Sequence, residues 1–406
     1  MSKPRILRII NRLNLGGPTY NASYLSRYLD GEFETLLLSG MKDESEESSE
    51  FIAESMGLEP TYIPDMHRSI NPLRDRKAYG MVKDIIKDFK PHIVHTHAAK
   101  AGALGRLAAI NNNVPIVMHT FHGHVFHSYF NPMKTRVFLE IERYLAKRST
   151  RIIAISELQK EELTQTFKVC DPNKVEIVPL GFDLSRFQHD KDIKRTHFRQ
   201  QYQIADNEIA IGIVGRLVPV KNHPLFIKAI KAVAEQTNKT IRAFIIGDGE
   251  DRPKLEALVR ELSIDCNFEG KKDPRALLTF TSWIKDVDYA YAGLDIIALC
   301  SFNEGTPVSL IEAQAADKPI VSTAVGGIKD VVKEGRTALL SARDELDPFT
   351  ANLLTLVNDD AMRARMSHDA QSFVMEKYHY TRLVRQMGDL YYKLLQEKHK
   401  EVSLIR

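Results

Sequence analysis

Short β-branched runs alternate with amphipathic helical stretches along the whole of this 406-residue chain. That alternation restricts the fold more than any other feature. A strand, a helix and a second strand in succession cross over into a parallel neighbour. The pattern therefore predicts an α/β protein with doubly wound parallel sheets and helices on both faces. Stretches 6–11, 35–39, 92–97, 115–119, 151–155 and 175–179 read as strands of one sheet. Stretches 208–214, 242–246, 267–269, 295–300, 319–322 and 338–340 read as a second set. The polar segment 189–207 carries no strand signal, so the division falls there, with residues 1–190 as one domain and 191–377 as another. From residue 378 onward a helical pattern repeats through Leu383, Met387, Leu390, Tyr391, Leu394 and Leu395. Residues 378–406 are assigned to the first domain as a returning helix, although local packing satisfies the periodicity equally well.

Composition narrows the function classes. A formal net charge of +3, with 27% charged residues, lacks the basic excess of a dedicated nucleic-acid binder. Cys170, Cys266 and Cys300 are far apart and odd in number, which fits reduced thiols better than disulfides or metal ligands. No cleavable leader pattern precedes the first strand, and no apolar run approaches the ~20 residues of a membrane span. A cytoplasmic protein is expected, free in solution or resting on the inner face of the cell membrane. The acidic run 43–50 reads as a solvated loop or helix start.

In open α/β sheets, ligands bind beyond the carboxyl ends of the strands, so the loops there are where chemistry is sought. Segment 301–312 holds Glu304 and Glu312 around a Gly305-Thr306-Pro307 turn, with Val308 opening a helix. A strand, a turn and a helix start aim backbone N–H groups and a positive dipole end at an anion. The carboxylates then face whatever the anion carries. A phosphate joined to a polyhydroxylated group, as in a nucleotide sugar, fits both.

Gly16 and Gly17 after the first strand allow close backbone approach, or form only a tight turn. Gly215 with Arg216 and Lys221 places two cations where a departing diphosphate would be stabilised without a divalent metal; the alternative is a pair of surface cations. Gly247 begins another turn, and Ile284 lies where backbone groups could meet a base edge. His119, His122, His124 and His127 invite a zinc site, but no acidic or cysteine ligand accompanies them and their spacing suits none. His122, beside Gly123, is the candidate; the others read as structural or acceptor-facing. Asp286 and Asp288 form a nominal Asp-x-Asp pattern, read as helix-capping and structural.

Taken together, these residues resemble the retaining, nucleotide-sugar-dependent glycosyltransferases of the GT-B fold, of the group 1 and family 4 type. The resemblance runs from Arg5 to about Leu340. It implies two Rossmann-like domains facing across a cleft, the first on the acceptor side and the second binding the donor. Arg216 and Lys221 would hold the diphosphate. Glu304 and the backbone of Gly305, Thr306, Pro307 and Val308 would hold the donor sugar and distal phosphate. Glu312 would take the ribose hydroxyls, Ile284 the base, and Gly215 and Gly247 would line the same site. Gly16 and Gly17 would let a loop close on the phosphates, and His122 would sit beside the sugar. No cofactor or metal is implied, because the donor, a UDP-sugar by preference, is itself a substrate. The acceptor would be a glycan or a lipid-linked sugar in cell-surface polysaccharide, lipopolysaccharide or glycolipid synthesis. Gln314, Asp317 and Phe182 depart from the family pattern away from this chemistry. Competing readings are a nucleotide-sugar epimerase, a sugar phosphorylase or a non-catalytic nucleotide-sugar-binding subunit; the presence of Glu304, Arg216 and Lys221 favours transfer.

Segment 131–148 reads as a helix with an apolar stripe of Met133, Val137, Ile141, Tyr144 and Leu145. Lys134, Arg136, Arg143, Lys147 and Arg148 occupy the other face. The stripe either packs into the core or docks on anionic lipid near a lipid-linked acceptor.

Overall fold

The computed structural model describes residues 3–14, 17–41, 50–67, 69–123, 132–268 and 275–405. Its contacts divide the chain into one unit of Met1–Phe182 with Tyr378–Arg406, and another of Asp183–Lys377. Gly16, Asp43 to Ser49, His124, His127 and Glu269 lie outside the described residues.

In the first unit, β1 (Arg5–Ile10), α1 (Gly17–Tyr28), β2 (Glu34–Gly40), α2 (Glu50–Ser55) and β3 (Thr61–Ile63) come first. There follow α3 (Pro72–Phe89), β4 (Ile93–His97), α4 (Ala99–Asn111), β5 (Ile116–Thr120), α5 (Pro132–Arg148), β6 (Arg151–Ala154), α6 (Glu157–Glu161) and β7 (Val175–Ile177). The seven strands lie in the order β3-β2-β1-β4-β5-β6-β7, every pair parallel. Parallel strands are covered on both faces, and every residue of β4 and β5 is buried, the polar His95, Thr96, His97, His119 and Thr120 included. One face buries Leu7, Ile9, Val94 and Val117 against Ala78, Val82 and Ile86 of α3 and Ala101 and Ala108 of α4.

In the second unit the order is α7 (Lys191–Gln201), β8 (Ile209–Val214), α8 (His223–Gln236), β9 (Ile241–Ile246), α9 (Arg252–Glu261), β10 (Cys266–Asn267) and β11 (Leu278–Ser282). Next come α10 (Val287–Gly293), β12 (Ile296–Leu299), α11 (Val308–Ala315), β13 (Ile320–Thr323), α12 (Ile328–Val331), β14 (Ala338–Ser341), α13 (Leu346–Asn358) and α14 (Asp360–Tyr378). Its strands are ordered β10-β11-β9-β8-β12-β13-β14, again all parallel. Two seven-stranded parallel sheets are the two Rossmann-like domains that the alternation predicted. The last helix, α15 (Tyr380–Ile405), packs in the first unit. Its Leu383, Met387, Tyr391 and Leu394 lie against Ile6, Ile93, Ile116 and Met118, on the sheet face opposite α3 and α4. Two backbone bonds anchor its start: Phe182 N–H donates to Tyr378 O at 2.8 Å and Tyr380 N–H donates to Phe182 O at 3.0 Å.

Several local expectations differ from what formed. β3 and β11 were not anticipated: β3 has three residues, and Leu278 to Ser282 alternates apolar with hydroxyl side chains next to a turn-rich segment. The polar stretch read as a linker holds α7, tied to α10 and the start of β12 by Lys194–Asp288 (3.0 Å), Arg195–Asp295 (2.8 Å) and Arg199–Asp295 (3.2 Å). Asp288 is structural, as expected, but through an ion pair; Asp286 makes no side-chain capping bond.

The helix α5 corrects the core-packing reading of its stripe. Val137 is 56% exposed, Ile141 41% and Tyr144 48%, while Leu145 is buried. The buried face instead carries Leu145, Ala146 and the carboxylate of Glu142, 2.6 Å from the buried Arg106 of α4. Among the described residues, no helix is long and apolar enough to cross a membrane.

A buried ion pair is dispensable as a pair but costly when halved. Glu142→Ala should therefore lose about 3–5 kcal/mol of unfolding free energy in urea, and the double variant Arg106→Met, Glu142→Leu should lose less than Glu142→Ala alone.

Candidate active site

In the second unit β8 is central. The chain steps from it to β9 on one side and returns to β12 on the other. The loops leaving β8 and β12 thus diverge at the topological switch point, where open α/β sheets hold ligands. The β8 loop carries Gly215 and the exposed Arg216, then a 3₁₀ turn over Pro219–Lys221. The β12 loop carries Ser301 to Pro307 and leads into α11. The two loops are joined directly: Phe302 N–H donates to Val220 O at 2.8 Å, and Lys221 Nζ lies 2.6 Å from Glu304 Oε1. Ser301 Oγ also donates to that carboxylate oxygen, at 2.6 Å. Among the described residues Arg216 makes no ion pair.

The Glu304 loop is held from below by the turn after β13. Gly327 N–H donates to Glu304 O at 2.9 Å, and a Cβ at Gly327 would collide with the Gly305 carbonyl oxygen. Pro307 stands at the N-cap of α11 and offers no side-chain cap, so the first N–H groups of the helix, from Val308 on, are left for another acceptor. Gly305 and Thr306 sit at that open end. An ammonium, a carboxylate and uncapped N–H groups together can hold a phosphate on one side and hydroxyls on the other.

One α11 turn further on, Glu312 Oε2 accepts from Tyr291 Oη at 3.2 Å. Burial pushes its carboxyl up to about 7, opposed by the charge of Arg186 and by the Tyr291 bond. Gly247 follows β9, and a Cβ there would strike the carbonyl oxygen of Gly215, so this crossing of two loops admits only glycine. Asp248 beside it accepts from Ser282 Oγ (2.8 Å) and Arg252 (3.1 Å), which holds the end of β11 just before Ile284. Gln314 and Asp317 are structural: Gln314 donates to Leu310 O and Val331 O, and Asp317 pairs with Lys191.

In the first unit the corresponding switch lies between β1 and β4. Gly17 opens α1 after β1, with Leu180 pressed so close that a Cβ would need it to move. His122 follows β5, and its Nε2 lies 2.8 Å from Nδ1 of the fully buried His97 at the end of β4. Gly123 O next to it accepts from the buried Gln159 amide at 3.2 Å. His95 Nε2 meets Thr120 Oγ1 at 2.7 Å, and its Nδ1 lies 2.6 Å from Tyr391 Oη and 3.2 Å from Arg8 Nη1. His119 Nδ1 contacts Thr96 Oγ1 at 2.8 Å, which makes it a core residue.

Burial pushes His122 down to about 3, and His95, His97 and His119 well below the ordinary imidazole range, so all four rings are neutral at physiological pH. Among the described residues no group of three His, Cys, Asp or Glu side chains is placed to hold a metal ion. The structure therefore brings Gly215, Lys221, Glu304, Gly305 and Thr306 together in one unit, while in the other His122 meets His97 and Gly17 meets Leu180. Sequence reasoning missed His97, Tyr291 and Ser301. For His97 a signal existed in the His95-Thr96-His97 alternation, polar residues inside a strand that should be apolar.

Two family descriptions match, one on each unit. Residues 194–373 match "Glycosyl transferases group 1" and residues 15–186 match "Glycosyltransferase Family 4". The chain is a glycosyltransferase of the GT-B fold. An Escherichia coli UDP-Gal:alpha-D-GlcNAc-diphosphoundecaprenol alpha-1,3-galactosyltransferase is 29% identical to it over 339 residues, 83% of this chain and 84% of that one. The Staphylococcus aureus capsular polysaccharide biosynthesis glycosyltransferase CapM is 24% identical over 343 residues, 84% of this chain and 86% of that one. Among solved structures, Anabaena Alr3699/HepE in complex with UDP superposes with a TM-score of 0.80 at 17% identity, covering 96% of this chain and all of that one.

A carboxyl raised by burial makes the folded state bind more protons than the unfolded one between the two pKa values. In this glycosyltransferase Glu312 should therefore reduce stability as pH rises from about 4.5 to about 7. Thermal unfolding of wild type and Glu312→Gln across that window checks this: the decline should be smaller in the variant, which keeps the neutral side chain at every pH.

Proposed function

We propose that this glycosyltransferase moves a sugar from a UDP-sugar to a hydroxyl of a lipid-linked or glycan acceptor, with retention of anomeric configuration and without a metal ion. The Lys221–Glu304 pair at the β8/β12 switch point, beside the uncapped start of α11, carries the reading. Lys221 and Arg216 take the diphosphate, and the α11 N–H groups take its distal phosphate. Glu304, with Gly305 to Val308, accepts hydroxyl donors of the sugar. Glu312 takes the ribose hydroxyls, Ile284 meets the base, Gly247 and Gly215 shape the wall, and Gly16 and Gly17 approach the phosphates. His122 is a neutral hydrogen-bonding group for the donor sugar. The choice of donor is supported by the UDP-Gal named for the E. coli relative and the UDP of the Anabaena structure.

In the proposed step the acceptor oxygen bonds to the anomeric carbon as the carbon–phosphate oxygen bond breaks on the same face. The acceptor proton passes to a leaving phosphate oxygen. Negative charge grows on the diphosphate, and fixed cations there stabilise the transition state more than the ground state.

The acceptor is placed in cell-surface polysaccharide or glycolipid synthesis. Supporting this, the exposed Ile141 and Tyr144 of α5 line an apolar groove of about 370 Å³ together with Ala103, Leu104, Leu107, Leu145 and Glu140, and Val137 is exposed on the same helix. Arg136, Lys147 and Arg148 stand on the same exposed side. Apolar side chains bordered by cations fit the surface of an anionic bilayer, so the membrane is proposed as the docking partner of α5.

Nucleoside diphosphate should be released from a UDP-sugar only when acceptor is present, with unchanged rate in EDTA, and the product should keep the donor's anomeric configuration by NMR. Release without acceptor would point to hydrolysis, and product formation without UDP release to epimerisation. Lys221→Ala and Arg216→Ala should each lower kcat by about 10²–10³, and equal turnover in either would remove that residue from the site. Ile141→Asp should abolish flotation with anionic vesicles at low salt while leaving turnover of a water-soluble acceptor unchanged; absence of wild-type binding would sink the membrane proposal.

A further inference from the structure

His97 closes β4 with its side chain fully buried, and its Nδ1 lies 2.8 Å from His122 Nε2. Two neutral imidazoles at that distance share one proton, so one nitrogen donates and the other accepts. The two outer nitrogens are then forced into opposite states. If His97 donates, its Nε2 is a bare lone pair and His122 carries its proton on Nδ1. If His122 donates, the N–H is stranded on His97 Nε2. Both outer nitrogens are buried and have no hydrogen-bond partner among the described residues.

The surroundings separate the two states. The His97 ring is tilted 34° against that of His95, with centroids 4.4 Å apart, and it feels the positive charge of the buried Arg8. A lone pair is tolerated there better than an N–H, since a stranded buried donor is costly and a cation repels it further. His122 Nδ1 is covered as well, but its ring is partly exposed beside Gly123, whose Cβ direction is open. Burial alone, with no neighbouring cation among the described residues, acts on it, so a proton there meets no such repulsion.

We infer that His97 is the positioning residue of His122: its Nδ1–H donates to His122 Nε2 and holds His122 as the Nδ1–H tautomer, presenting that N–H to the bound donor. The inference rests on the assignment of His122 to the donor sugar. It gives His122 a defined task as a hydrogen-bond donor. With Nε2 engaged and Nδ1 protonated, His122 has no free lone pair with which to remove a proton from the acceptor.

The test is the ring tautomer, read from long-range ¹H–¹⁵N spectra of the full chain labelled with ¹⁵N-histidine, the His122 signals being those lost in His122→Gln. Wild type should show the Nδ1–H tautomer at His122. In His97→Leu it should revert to the Nε2–H form that free imidazole prefers. His97→Asn, whose side-chain amide can donate from nearly the same place, should keep the Nδ1–H form. In parallel, kcat of His97→Leu should fall about tenfold or more with donor KM little changed, and His97→Asn should recover most of it. An Nε2–H tautomer at His122 in wild type, or an unchanged one in a folded His97→Leu, overturns the inference. Wild-type turnover by His122→Gln overturns the assignment of His122 itself, and the spectra tell these two failures apart.

Discussion

A parallel strand cannot be reached from its neighbour by a tight turn, because the chain must travel back along the whole sheet before it starts again. Both units obey this constraint in every strand pair. All carboxyl ends in a sheet then lie along one edge, and the loops that lead from them into the crossover helices gather there. The reversal of strand order beside β8 opens a gap at that edge, since the loops of β8 and β12 lead away in opposite directions. Lys221 comes from one loop and Glu304 from the other, and their 2.6 Å contact spans the gap. Gly247 and Ile284 arrive at the same edge from β9 and β11 for the same topological reason, and Glu312 follows Glu304 on α11.

Desolvation divides the electrostatic work between the units. In the first, burial strips charge from His95, His97, His119 and His122, and Arg8 reinforces it for His95 and His97. What remains is a set of neutral donors and acceptors, suited to hydroxyl groups. In the second, Lys221 and Glu304 hold opposite charges in contact, next to the dipole end of α11, suited to a phosphate. Glu312 stands between these regimes, its carboxyl lifted by burial and drawn back by Arg186.

Much of the fold was legible because burial on both faces writes parallel strands as apolar runs. The runs at 6–11, 208–214 and 295–300 each mark an observed strand. β3 was too short to carry a signal, and β11 was masked by the hydroxyl side chains of Thr279, Thr281 and Ser282. The stripe on α5 was periodic in both readings, because periodicity reports that a face is apolar and is silent about what covers it. Asp288 is fixed by Lys194, a partner 94 positions away that no local rule supplies. His122, Arg216, Lys221 and Glu304 lie beyond the carboxyl ends of β5, β8 and β12, a location that depends on topology alone.

The sequence by itself determined the order of strands and helices, the parallel sense of both sheets and the loops that carry the charged residues. Those follow from side-chain periodicity and the geometry of crossover connections, which act within a few tens of residues. The tertiary structure decided which side chains meet: Lys221 with Glu304, Tyr291 with Glu312, Arg106 with Glu142, and His97 with His122. It also decided which groups keep their charge. Both depend on distances of a few ångströms and on burial between residues remote in the chain, and periodicity encodes neither.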